Sequence, residues 1–586
     1  MVNKVLVTTA LEDSWPKDPE TPVLFLGEWC RLYSRKERWQ KMNSEVLSYH
    51  WDDRTKLYND YIYINHLYEK CLNCLSEKLN EIHKVDHSVR YWRILIGPWL
   101  GQFIQMLFDR WSSLYTVFKE KIDYTIVLSM PESNLIPNDM RHFNDLYIDD
   151  KWNHFIYHEI LDFSNNHDIK IRINDSINDS DLKKNSNKSS KKSWKVRVIK
   201  KILDSLNKFY SSKYFFINTY LNITDQWKLD LMLGQIPQYR DYLKIISPPI
   251  NFEKRKWKLK IESIGNEFEL FLENIIPKQI PSLYLEGYIK LTEEIKKNNW
   301  PDNPKLIWTS NSYNSDDHFK AYCAKKVENN VKLVIGQHGG HYGIGLWSFS
   351  EDHELKIADR YLSWGWTDDK AEKVRPIGQF KLKNKIKYVV NNKIVLVTST
   401  MPRYSYEMLS ATVSRQWLDY LEDQFEFCEK IGNELRKNLI VRLYQHDYGW
   451  NQKERWEDKY PNIELDSGAS SIEEIMKESK IYVSTYNATT YLEAFAINIP
   501  TIIFWNPKHW EIRESAKNIF SELERVKIFH SNPESAAKHI QNIWSDIDEW
   551  WKHDDVQRIL MRFNQKYNRS SSALLELIKN EIEELV

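Results

Sequence analysis

Val331 to Gly345 reads V-K-L-V-I-G-Q-H-G-G-H-Y-G-I-G, and the fold is read outward from it. Val331 to Ile335 is short and mostly apolar, the pattern of a buried strand. It empties into Gly336, Gln337, His338, Gly339, Gly340, His341, Tyr342 and Gly343. Backbone without Cβ atoms lets N–H groups come close to a ligand. Two imidazoles add groups that exchange protons near neutral pH. The plainer alternative is a turn whose glycines only relieve crowding. It must explain why four glycines and two histidines share one loop of a chain with 16 glycines in 586 residues.

Upstream, Lys305 to Thr309 reads as a strand and His318 to Asn329 as a helix, so the opening stretch closes a β-α-β unit. Arg360 to Trp364 is the next strand. Nearer the start, Lys4 to Thr8 and Val23 to Leu26 are strands. The second ends in Gly27-Glu28-Trp29, which sets a carboxylate at the carboxyl edge of a sheet, where open α/β sheets bind ligands. Glu28 paired to a nearby arginine is the equal alternative. Asn59 to Val85 has apolar residues at helical spacing and reads as a long helix. Gly97 and Pro98, in the aromatic run that follows, predict a helix break or tight packing.

Downstream, Ile394 to Thr400, Leu439 to Tyr444, Ile463 to Asp466, Ile481 to Ser484 and Ile499 to Phe504 read as strands, with helices between them. The alternation predicts parallel, doubly wound sheets. The fold class is α/β, with two Rossmann-like domains facing a cleft and helical insertions in the N-terminal half. The boundaries are 1–385, 390–550 and a helical tail over 551–586. Residues 164–193 are rich in serine, asparagine and lysine and read as a mobile surface insertion.

Composition removes several classes. Lysine plus arginine and aspartate plus glutamate both total 82, so charge gives no reason to expect a nucleic-acid partner. Five scattered cysteines are too few for a disulfide scaffold, and Cys71-Leu-Asn-Cys74 lacks a second pair for zinc. Tyr91 to Phe108 is apolar but broken by Arg93, Gly97, Pro98 and Gln102, so it is rejected as a membrane span. The start lacks the features of a signal peptide. These readings place the chain in the cytoplasm, with work at the cytoplasmic face of the inner membrane as one setting.

Ser484 to Thr490, S-T-Y-N-A-T-T, is the second strong signal. It is rich in hydroxyls and opens a helix, where N–H groups and the dipole favour a phosphate. Ser484, Thr485, Asn487, Thr489 and Thr490 are the candidate contacts, and Glu493 just inside the helix can accept from ribose hydroxyls. Some of these hydroxyls must simply cap the helix. Arg403 can balance phosphate charge, and His446 can hydrogen-bond a leaving phosphate. No carboxylate cluster demands a metal.

The motifs L-V-T-T-A-L-E-D-S-W-P from Leu6, F-L-G-E-W-C from Phe25, the Gly336–Gly343 loop, Tyr444 with D-Y-G-W from Asp447, and S-T-Y-N-A-T from Ser484 occur together. Jointly they resemble a family of surface-carbohydrate transferases found with bacterial polysaccharide and nonulosonic-acid biosynthesis genes. Residues 390–507 are also similar to GT-B glycosyltransferases, including capsule Kdo-type transferases and polyglycerol-phosphate polymerases. The related enzymes carry a His-Pro pair where this chain has His446-Asp447.

The resemblance implies a GT-B glycosyltransferase of cell-surface polysaccharide assembly. Its C-terminal domain holds a nucleotide-sugar donor, and its N-terminal domain faces a glycan or lipid-linked glycan acceptor. It implies no metal and no other cofactor. The family's setting favours a CMP-linked acidic sugar. On this reading His338 and Glu28 are catalytic, and Gln337, Gly339 and Gly340 join the donor contacts. His341 and Trp29 touch the acceptor. A UDP-hexose glycosyltransferase, an alditol-phosphate transferase, a nucleotide-sugar epimerase and an inactive carbohydrate-binding protein are the alternatives.

Overall fold

The computed structural model describes residues 4–164, 169–174, 212–237, 247–261, 265–381, 391–468 and 471–586. Among the described residues the strands form three sheets, all parallel.

The first sheet holds β1 (Val5–Val7), β2 (Val23–Phe25), β3 (Ser44–Val46), β4 (Tyr124–Leu128) and β5 (Lys170–Asn174), in the order β3-β2-β1-β4-β5. The second holds β6 (Tyr214–Phe216), β7 (Leu306–Thr309), β8 (Lys332–Gly336), β9 (Arg360–Ser363) and β10 (Val374–Pro376), side by side in chain order. The third is built from β11 (Lys393–Val397), β12 (Leu439–Arg442), β13 (Glu464–Asp466), β14 (Ser479–Ser484), β15 (Thr501–Phe504) and β16 (Phe529–His530), ordered β13-β12-β11-β14-β15-β16. That last order is the doubly wound one, with its switch point between β11 and β14.

The expected α/β fold with parallel sheets is therefore present. The stretch read as one N-terminal Rossmann-like unit carries two five-stranded sheets. Three strands of the first sheet, β3, β4 and β5, went unassigned in the sequence. β4, Y-T-I-V-L, is buried on both faces, so it lacks the alternation that marks a half-buried strand. β5 lies inside the segment read as a mobile insertion. It is mostly exposed at the sheet edge and is ordered by pairing with β4. The remainder of the 164–193 reading, apart from Ser164 and 169–174, lies outside the described residues.

Two long helices, Arg54–His83 and Val89–Val117, separate β3 from β4. Lys84 turns the chain between them in the left-handed conformation (φ 55°). The second helix runs straight through Gly97 and Pro98, so tight packing rather than a break explains them. A Cβ on Gly97 would stand 2.8 Å from the ring of His353, and one on Gly101 would meet Phe349 at 1.8 Å. The helix Phe349–Ile357 thus lies directly on these glycines. Among the described residues, no helix is long and apolar enough to cross a membrane. Cys71 and Cys74 are free thiols, and Cys71 is buried.

The tail does not stand apart. Helix Asp554–Tyr567 packs on Glu514–Arg525 beside the third sheet. The chain then crosses to the second sheet. Asn568 Nδ2 donates to the Leu492 carbonyl at 2.7 Å, and one residue later the Arg569 N–H donates to Trp364 O at 2.8 Å. The last helix, Leu574–Leu585, ion-pairs to Arg360 of β9 through Glu581.

Candidate functional site

Strands β11 and β14 are neighbours in the third sheet, and the crevice beyond their carboxyl ends is where such sheets bind ligands. β14 ends at Ser484 and feeds the helix Thr489–Ala496, whose N-cap residue, Ala488, gives no side-chain cap. Two buried polar atoms at these strand ends have no hydrogen-bond partner: Thr400 Oγ1 after β11 and Asn487 Nδ2 after β14. Asn487 is 1% exposed, and its Oδ1 accepts from the Tyr491 hydroxyl at 3.0 Å. A buried donor left unpaired costs roughly 1–3 kcal/mol, so each such group calls for a partner, whether an ordered water, an ion or a ligand.

The hydroxyls of the 484–490 run divide into two groups. Ser484 Oγ donates to the Tyr486 carbonyl at 3.4 Å, and Thr485 Oγ1 donates to Val397 O at 2.9 Å. Both residues are buried and tie the loop to the sheet, which removes them from the donor contacts. Thr489 and Thr490 lie at the helix start. Thr490 Oγ1 donates to the Tyr486 hydroxyl at 3.1 Å. Glu493, half-buried on the same helix, stands within electrostatic reach of Tyr486 and of Lys381.

The glycine-histidine loop faces this helix start directly. The Gly340 N–H donates to Thr489 Oγ1 at 3.1 Å. A Cβ on Gly340 would lie 2.5 Å from the Ala488 carbonyl oxygen, so only glycine admits this approach. The two strongest sequence signals therefore meet in space, 149 residues apart in the chain.

His338 lies in an aromatic bed. Its ring stacks beside Tyr220 at 6.2 Å and contacts Tyr342 at 5.0 Å. The Tyr342 hydroxyl is 3.3 Å from Nε2, and Glu354 Oε1 is 3.5 Å from Nδ1. A quarter of the side chain stays exposed. Burial, helped by the Lys381 charge, pulls the imidazole pKa down to about 4, so the ring is neutral at pH 7. A neutral imidazole can take or relay a proton; here Nδ1 is buried without a hydrogen-bond partner and Nε2 faces the Tyr342 hydroxyl.

Glu354 is the residue that sequence reasoning missed. It lies on the helix Phe349–Ile357, fully buried, and accepts from the hydroxyls of Tyr342 (2.8 Å) and Tyr313. Burial pushes its pKa up to about 8, against the hydrogen bonds from the tyrosines. In sequence, E-D-H-E-L reads as a solvated helix face. Nothing local says that Tyr313, Tyr342, Tyr361 and His338 fold over it.

Several sequence-derived candidates serve the scaffold instead. Gln337 is fully buried, its Oε1 accepting from the Trp364 N–H and Trp366 Nε1, both at 2.8 Å, and its Nε2 donating to Gly339 O at 2.7 Å. It shapes the loop and is buried away from the surface. Gly339 follows it and leads the chain to Gly340. His341 packs over Gly345, sits 3.3 Å from Ser410 Oγ and lies within hydrogen-bonding reach of the Asn487 backbone. Burial lowers its pKa to about 4 as well.

Glu28 is held by Arg31, with Nη2 2.6 Å from Oε2, as its alternative reading has it. Trp29 is 1% exposed, donates to Thr8 O at 3.1 Å and offers no face to an acceptor. Arg403 is buried against Asp150 at 2.9 Å and also donates to the Trp29 carbonyl, so its charge is already met. It joins the third sheet's loop to the first sheet. His446 stays exposed beyond β12. Among the described residues, no group of three histidine, cysteine, aspartate or glutamate side chains is placed to hold a metal ion.

The third sheet is thus a doubly wound parallel sheet of an α/β protein, with unpaired polar groups at its switch point. The chain belongs to the LIC12162 family of transferases, whose family model matches residues 4–582. No curated protein matches it. Among solved structures it is similar to MurG of Acinetobacter baumannii, at 9% identity and a TM-score of 0.33, over 64% of this chain and all of that one. It is also similar to the wall teichoic acid polymerase TagF, at 12% identity and a TM-score of 0.26, over 50% of this chain and 85% of that one. Anabaena HepE in complex with UDP and glucose matches at 10% identity and a TM-score of 0.32, over 64% of this chain and 99% of that one. Likenesses this slight add nothing to the residue-level description of the site.

Proposed function

We propose that this transferase is a GT-B-type glycosyltransferase that binds a nucleotide-sugar between the start of the helix Thr489–Ala496 and the His338 loop. It would pass the sugar to a glycan acceptor. The observation that carries the reading is the junction itself: Gly340 N–H on Thr489 Oγ1 at 3.1 Å, beside the buried, unpartnered Asn487 Nδ2.

In this reading Asn487 Nδ2 and Thr400 Oγ1 hydrogen-bond phosphate oxygens, aided by the dipole of the uncapped helix start. Thr490 and Glu493 lie where ribose hydroxyls fall. Lys381, within electrostatic reach of His338 and Glu493, supplies a positive charge, since Arg403 is engaged by Asp150. His338, neutral and partly exposed, takes the acceptor's proton as the new glycosidic bond forms, and the nucleotide leaves with the phosphate. Tyr342 and Glu354 fix the imidazole in place. The donor is a CMP-linked acidic sugar, which follows from the family resemblance rather than from geometry. A UDP-hexose is the second choice.

Thermal unfolding of the purified protein with CMP, CDP, UDP and GDP, without added metal, tests this. A ligand that binds only the folded state raises apparent stability, by about 2.7 kcal/mol at a hundredfold excess over Kd. Stabilisation by CMP supports the acidic-sugar donor. Stabilisation by UDP or GDP alone replaces that donor and keeps the reaction class. No response to any nucleotide overturns the reading.

A further inference from the structure

Beyond β12 the chain runs Tyr444-Gln445-His446-Asp447-Tyr448-Gly449-Trp450, a motif the donor site does not use. This loop is held rigidly. Asp447 accepts from the N–H groups of Asn451 (2.7 Å) and Gln452 (2.6 Å), and Gln452 Nε2 donates to the Tyr444 carbonyl at 2.7 Å. Trp450 stacks on Trp417 at 5.2 Å and donates to Met401 O at 2.7 Å. The backbone is left-handed at Tyr448 (φ 52°), Gly449 (φ 83°) and Asn451 (φ 57°). A bulky residue in that region is strained, and strain of this kind persists where the surroundings over-determine it, often at ligand sites.

The strained loop presents aromatic side chains. Tyr444 is 41% exposed, His446 is exposed, and their rings are 6.3 Å apart; His446 and Tyr448 are 6.0 Å apart. Behind them Tyr406, from the loop after β11, stacks on Tyr147 at 5.4 Å with planes 7° apart. Tyr147 comes from the segment after β4, so the pair spans the first and third sheets. The hydroxyls of Tyr147, Tyr444 and Tyr448 all lie within electrostatic reach of Tyr406. Tyr444 is likewise in reach of Tyr486, the partner of Thr490.

We propose that Tyr444, His446 and Tyr448, backed by the Tyr147–Tyr406 stack, form the platform on which the acceptor's sugar ring lies. An exposed aromatic face takes the C–H face of a pyranose, and phenol and imidazole groups at its rim hydrogen-bond the ring's hydroxyls. The platform adjoins the helix start assigned to the donor, which is where an acceptor must stand. The inference rests on the glycosyl-transfer reading for its role as acceptor site, while the carbohydrate platform can be tested without turnover.

The test applies the full-length protein to an array of bacterial surface oligosaccharides and polysaccharides, alongside Tyr444→Ala, Tyr448→Ala and Tyr444→Trp. Nucleotide stabilisation is measured on the same samples. The expected result is wild-type retention of at least one glycan, a loss of tenfold or more in both alanine variants, and retention in Tyr444→Trp. Nucleotide response should be equal throughout. Glycan signal unchanged in both alanine variants, or none in the wild type, overturns the platform. Tyrosine-dependent glycan binding with no nucleotide response in any sample keeps the platform and sinks the transferase reading instead.

Discussion

Glu354 shows how a single residue takes its properties from its surroundings. A carboxyl among Tyr313, Tyr342 and His338 has lost its water, and burial outweighs the hydroxyls that stabilise its charge. Its folded-state pKa, about 8, lies above the ordinary value of 4.5. The native state therefore keeps a proton that the unfolded chain releases. This stabilisation is full below about pH 4.5 and is lost as pH rises through about 8. Glutamine at this position keeps the neutral form at every pH. Glu354→Gln should thus lose less stability than wild type between pH 5 and pH 8.5, read as Tm against pH. Glu407 is also raised, to about 7, but it titrates in both proteins and leaves the difference curve alone. Parallel curves for the two proteins would contradict the assignment.

At the scale of the element, the loop from Gly336 to Gly345 was legible as a special place but only partly as to its task. Its glycines serve contact with protein as well as approach to a ligand. Gly343 is left-handed (φ 74°), and a Cβ there would meet Trp366 at 2.4 Å. The loop's far end is clamped to the C-terminal half: Arg513 donates to the Gly345 carbonyl at 2.9 Å and pairs with Glu351 at 2.8 Å. His341 belongs to this clamp. Sequence alone could not tell it from His338, because two imidazoles three residues apart carry identical local signals. What separates them is which one meets Tyr220 and Tyr342 and which one meets Ser410.

The same loop makes a sharp mutational forecast. Gly340→Ala puts a methyl group 2.5 Å from the Ala488 carbonyl oxygen and 2.7 Å from Leu492 Cδ1. Backbone on one side cannot yield cheaply, so the substitution should destabilise the fold by about 1–3 kcal/mol. It should also weaken nucleotide binding by moving the loop from Thr489. Equilibrium denaturation with and without nucleotide reads both effects. Unchanged stability would mean that the loop and the helix start are not packed as described.

The whole molecule is built so that distant segments share one crevice. The third sheet could be inferred as parallel and doubly wound because its short apolar strands alternate with helices. The division of the N-terminal half into two sheets was hidden by β4, whose continuous burial removes the alternating pattern, and by β5, whose polar edge position looks like linker. The tail was read as a separate acidic helix. It acts as a strap, because Asn568 and Arg569 carry backbone contacts from one half to the other, and no local pattern encodes a partner two hundred residues away. Arg403 and Trp29 mislead for the same reason: residues that weld two sheets together sit at strand ends, as ligand contacts do.

The central claim is that a nucleotide-sugar lies between the His338 loop and the start of the helix Thr489–Ala496. Amide hydrogen exchange, with and without whichever nucleotide stabilises the protein, tests it most directly. The account predicts added protection in peptides covering 336–345 and 484–493 together, with little change in the first sheet. Protection confined to other segments, with these two unchanged, would contradict it.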